Sequence, residues 1–146
     1  MSFLDRVRDL VRRPKEPPLS LDSPGLEVVV TAFDMAEADS AALARSPAWA
    51  AEKPAVLRHH LLLPPGRVAE AAKVLAQDGW ALGEPEDGTG GMVLVHARRV
   101  QVLDALHCAQ ERSRMAGLAQ RLGGDSLGWD ALQPGTAGPA PGDSIA

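Results

Sequence analysis

The residues best suited to chemistry in this chain are four histidines, one cysteine and a small group of acids, and their spacing limits what they can do. His59 and His60 are adjacent. Neighbours in an extended strand point to opposite faces, so these two cannot hold one ion together. His60 and His96 could meet across paired strands, but two imidazoles without a nearby carboxylate make a poor metal site. No metal and no cofactor are expected. Cys108 lies beside His107 and four residues before Arg112, neighbours that favour a thiolate. A lone cysteine on a helix nevertheless reads as a small packing residue, and one cysteine excludes both an internal disulfide and a cysteine-based zinc site. Glu84, Glu86 and Asp87 fall in a turn and read as solvated charges. The glycines at Gly88, Gly90 and Gly91 are followed by no lysine, and the preceding acids would repel a phosphate. Neither Gly-x-Ser-x-Gly nor His-Glu-x-x-His occurs. The expectation is a protein that binds rather than catalyses.

The elements that must position these residues are clearest in the second half. Residues 56–63 read as a strand. Pro64-Pro65-Gly66 ends it and opens a helix over 67–78, with Val68, Ala71, Ala72 and Leu75 as its apolar stripe. Gly79 ends that helix, and Trp80-Ala81-Leu82 begins a second strand. Residues 84–91 form a turn and 92–98 a third strand. Residues 100–122 are helical in composition. Their stripe looks broken, with Val102, Leu106, Ala109 and Ala116 on one side and Met115, Leu118 and Leu122 on the other, so two pieces or a bend near 111–114 are expected. Gly123-Gly124 terminates the segment, and 126–132 is a short last strand. This order, βαββαβ, predicts an α+β fold, a ferredoxin-like two-layer sandwich over 54–132. Alternation puts Leu57, His59, Leu61, Leu63, Val93, Val95 and Ala97 on the helix side. Arg58, His60, Leu62, Met92, Leu94, His96 and Arg98 line the open side.

Residues 1–15 read as a basic amphipathic helix, with Phe3, Leu4, Val7, Leu10 and Val11 as its stripe. The segment carries five basic and two acidic residues, net +3, while the remaining ten basic and seventeen acidic residues carry −7. An acidic body disfavours direct nucleic-acid binding, and the open face carries no stacking aromatics on its central strands. The 1–15 helix offers another reading, a peripheral adaptor docking on a membrane or a larger complex. Residues 16–25 are a proline-rich linker, and 26–53 an additional strand and helix, with Asp34 as a candidate cap. Residues 133–146 are an uncharged Pro/Gly/Ala-rich tail apart from Asp143, expected to be disordered. No apolar run reaches membrane-spanning length and no signal segment is seen, so a cytoplasmic location is expected. An unrecognised enzyme or small-molecule binder would need a pocket with convergent polar groups.

Arg58-His59-His60-Leu61 on the first strand, Gly79-Trp80 at the second, and Ala119, Gly123-Gly124-Asp125 and Gly128-Trp129 at the end resemble the regulator of ribonuclease E activity B family (RraB) over roughly 56–132. That resemblance implies a ferredoxin-like sandwich and a non-enzymatic role: binding and inhibiting ribonuclease E and so altering RNA turnover. Two departures stand out. Leu127 replaces the family's acidic residue before Gly-Trp, and the acidic tail is replaced by residues 133–146. The partner-binding candidates are Arg58, His60, His96 and Arg98 on the open face, and Trp129 and Asp130 on the last strand. Trp129 also reads as a core anchor.

Overall fold

The computed structural model describes residues 18–135. The basic helix expected over 1–15 and most of the expected tail lie outside these residues. Six strands form one antiparallel sheet: β1 (Leu26–Ala32), β2 (Pro54–Leu63), β3 (Ala81–Leu82), β4 (Glu86–Asp87), β5 (Val93–Val102) and β6 (Asp125–Pro134). The strand order is β1-β6-β2-β5-β3, with β4 also pairing with β5. Three helices complete the α+β fold: α1 (Asp39–Ala44), α2 (Val68–Ala76) and α3 (Ala105–Arg121). No helix among the described residues is long and apolar enough to cross a membrane.

Each element follows from local chemistry. The run Val28-Val29-Val30-Thr31 is β-branched and forms the edge strand β1, which extends the sheet beside β6. Arg45 donates to the Thr31 carbonyl at 2.6 Å and to both oxygens of Glu37, tying that edge to the turn and helix after it. Asp34 does not cap α1. It accepts from the Ala36 N–H in the preceding turn, and Ala38 occupies the cap position. The segment expected as a helix over 67–78 is a 3₁₀ turn, Pro65–Arg67, followed by α2. Proline at the first position of that turn explains its tight start.

The largest correction concerns residues 98–122. β5 continues to Val102, and α3 is one uninterrupted helix. Asp104 starts it by accepting from the His107 N–H at 2.8 Å. The buried stripe is Cys108, Met115, Leu118, Ala119 and Leu122, whereas Val102 and Leu106 are exposed. The stripe looks broken because Glu111 and Arg112 occupy its missing turn. Both are tied down, Glu111 by Arg99 and Gln101, and Arg112 by Asp39 and the Ala32 carbonyl. β6 likewise runs past the expected end and takes in Gln133 and Pro134. The Gln133 amide donates to the carbonyls of Ala50, Lys53 and Pro54 and accepts from the Ala50 N–H.

The core lies between the sheet and helices α2 and α3. Leu57, His59, Leu61, Leu63, Val95, Ala97 and Trp129 are fully buried there. Alternation places the β2 and β5 residues among these on the core side, as expected; Trp129 was not placed by it. Gly128 serves the close approach of β6 to the end of β1. Its φ is +115°, and a Cβ there would press into the Ala32 carbonyl and lie 3.0 Å from Phe33 Cα. Gly128→Ala should therefore cost about 3 kcal/mol from backbone strain and overpacking together. Urea unfolding with an unchanged m value measures the loss; a shift below about 1 kcal/mol would show that β6 can retreat.

Candidate partner-binding face

The open side of the sheet is chemically rich only at its centre. At one end Val56 has open-side parity but is buried. At the other the turn after β4 approaches Leu62, whose Cδ2 would be 2.9 Å from a Cβ on Gly88. Between these ends the β2–β5 register sets Arg58 opposite Arg98 and His60 opposite His96. β6 adds Asp130 opposite Arg58. The sheet thus brings together five of the six candidate residues.

Asp130 is the hub. Its carboxylate accepts from Arg58 Nε at 2.9 Å and Arg58 Nη2 at 2.6 Å, a bidentate pair. It also contacts His60 Nε2 at 3.0 Å. A carboxylate can only accept, so His60 Nε2 is the donor in this contact. His96 Nε2 lies at hydrogen-bond distance, 3.1 Å, from His60 Nδ1, and His96 Nδ1 faces Glu86 at 3.5 Å. Burial raises the Asp130 pKa, but the hydrogen bonds from His60 and Arg58 outweigh it and hold the carboxyl below its ordinary range. The hydrogen bond to Asp130 raises the Arg58 pKa. Burial, then the nearby His60 and Arg58, pushes His96 below an ordinary imidazole. Asp130 therefore stays ionised and Arg58 stays engaged.

Trp129 is not part of this face. It is fully buried, and its indole Nε1 donates to Asp39 at 3.0 Å. Strand alternation separates it from Asp130, so its role is the core and not direct contact. Three residues absent from the candidate set border the face. Phe33 stands edge-on to His60 with ring centroids 4.9 Å apart. Glu86 approaches His96, and Asp22 approaches Arg98 at 3.8 Å. Phe33 ends an apolar run, which hinted at burial; its position over a histidine on another strand left no local signal.

Other candidates for chemistry are closed. Cys108 is buried, and its thiol is pushed up to about 12, first by burial and then by Glu111 and Asp39. Among the described residues no group of three or more His, Cys, Asp or Glu is placed to hold a metal ion. An open recess of about 640 Å³ is lined by Leu19, Pro24, Ala50, Lys53, Gln133 and Pro134 among others. Its buried amide, Gln133, is already engaged by four backbone groups. No family model matches the chain, and no curated protein or solved structure does either.

Proposed function

We propose that this chain is a non-catalytic, cytoplasmic, protein-binding regulator with a ferredoxin-like core, similar in role to the ribonuclease E inhibitors it resembles, and that it modulates RNA turnover. The observation that carries the reading is the block of Arg58, His60, His96 and Arg98 on one sheet face, backed by the buried Asp130. Such a block is fixed in place, partly exposed and, among the described residues, linked to no nucleophile, which suits recognition rather than bond breaking. The order β6-β2-β5-β3, with one helix after β2 and one after β5, supports the ferredoxin-like description. The resemblance residues also fit structural roles. A Cβ at Gly124 would run into the Leu62 carbonyl, and His59 and Trp80 meet edge-to-face at 5.4 Å.

The test is direct binding of the purified full chain to purified ribonuclease E, followed by cleavage of a model RNA. Wild type should bind and slow cleavage. Arg98→Glu should weaken binding at least about tenfold, since charge reversal at an interface opposes the partner's field. Arg98 is the appropriate position because Arg58→Glu would set a carboxylate against the buried Asp130 and disturb the fold itself. Absence of binding by wild type rejects the ribonuclease E reading. Equal binding by folded Arg98→Glu rejects the face.

A further inference from the structure

Arg58 and Arg98 sit directly opposite each other on β2 and β5, an arrangement that is repulsive unless counter-charges answer it. Only one of the two is answered well. Asp130 takes Arg58 through two short hydrogen bonds. Arg98 has a buried Nε with no hydrogen-bond partner among the described residues, and its Nη1 lies 3.8 Å from an Asp22 carboxylate whose side chain is 93% exposed. That separation exceeds a hydrogen bond and is worth little in water. The Arg98 side chain nevertheless remains 27% exposed and within reach of a ligand. The neighbouring His60 is held by Asp130 and contacts His96, whose Nδ1 lies 3.5 Å from Glu86.

We propose that Arg98, with His96 beside it, receives a carboxylate from an acidic segment of a protein partner, which displaces Asp22 and does for Arg98 what Asp130 does for Arg58. The inference rests on the open face being the partner surface. A planar carboxylate matches the guanidinium fork. Phe33, exposed and set against His60, offers a place on the same face for an apolar side chain of the segment. A nucleic acid fits less well. One ring at the border does not make a platform for successive bases, and residues 16–146 carry net −7, with Glu86 and Asp22 at the site.

The probe is an acetylated, amidated hexaglutamate peptide, titrated into the full chain at low salt while the Arg98 Nε–H and His96 ring signals are followed by NMR. Saturable shifts at both are expected. Arg98→Gln should weaken binding at least tenfold while the Trp129 indole signal stays in place. No saturable shift, or equal binding by Arg98→Gln, overturns the inference. So does tighter binding of hexauridylate, which would assign the face to nucleic acid. Capture of ribonuclease E without hexaglutamate binding would leave the proposed function standing and this inference rejected. Hexaglutamate binding without ribonuclease E capture would do the reverse.

Discussion

Asp39→Ala should destabilise the fold by about 4 kcal/mol, because it removes one half of a buried ionic contact and leaves the other half without compensation. The Asp39 side chain is 4% exposed. Its Oδ1 accepts from the Trp129 indole at 3.0 Å and lies 3.3 Å from Arg112 Nε. The Arg112 contact is at ion-pair distance but is not aligned as a hydrogen bond, since that Nε lacks a hydrogen-bond partner. Arg112 Nη2 also donates to the Ala32 carbonyl at 2.6 Å. One carboxylate therefore ties three elements together: α1, the last strand and α3. α1 has six residues and is too short to persist by itself. Losing Asp39 leaves a largely buried guanidinium with the Ala32 carbonyl but no counter-charge there, and strands an indole N–H. Asp39→Asn keeps an acceptor for the indole and should cost about half as much. Urea unfolding followed by tryptophan fluorescence measures both, and a loss under about 1 kcal/mol for alanine would mean that Arg112 swings to solvent and α1 holds by packing alone.

This contact also shows where the sequence stopped being legible. The period-two alternation of β2 and β5 was enough to divide core from open face, because each residue's side depends only on its neighbours in the strand. The same logic brought Arg58, His60, His96 and Arg98 together, given the strand pairing. Asp39 and Trp129 are 90 residues apart, and no local pattern links them. Trp129 reads from the sequence as a core anchor rather than an interface residue, but only its partner Asp39 decides between them. α3 was misread for a related reason. Glu111 and Arg112 sit on its buried side, which a stripe of apolar residues cannot reveal when the charges are answered from other elements. The reach of β6 into Gln133 and Pro134 was hidden in the same way, since the Gln133 amide is satisfied by backbone groups about 80 residues earlier.

The two faces of the sheet solve the same problem in different ways. On the open side, a buried carboxylate gathers an arginine and a histidine into a connected network. On the core side, His59 is fully buried and neither ring nitrogen has a hydrogen-bond partner among the described residues. Its packing is aromatic, edge-to-face against Trp80, whose other side carries the Arg99 guanidinium 4.1 Å from the ring centroid. The two adjacent histidines thus have opposite environments, set by strand alternation, and only His60 lies on the open side.

His59 should make the protein lose stability in acid. Burial first, then electrostatic repulsion from Arg112 and its other basic neighbours, lowers its pKa from 6.5 to about 3. In the unfolded chain the imidazole takes up a proton below about pH 6.5, while the native ring stays neutral until about pH 3. The unfolded state therefore binds more protons throughout that window, and stability falls as pH falls. The contribution is fully present above the unfolded pKa and gone below the folded one. At about 1.4 kcal/mol per unit, the whole window is worth roughly 5 kcal/mol. His96 and Asp130, both with lowered pKa, fall away in the same direction, so wild type alone does not isolate the effect. His59→Leu does. The variant should equal or exceed wild type at pH 7, because it removes two buried nitrogens without partners. Between pH 7 and pH 4, wild type should lose about 3 kcal/mol more than the variant. Parallel stability curves for the two proteins would mean that the native His59 ring already finds a proton and a partner near neutrality, and would place water in the core beside Trp80.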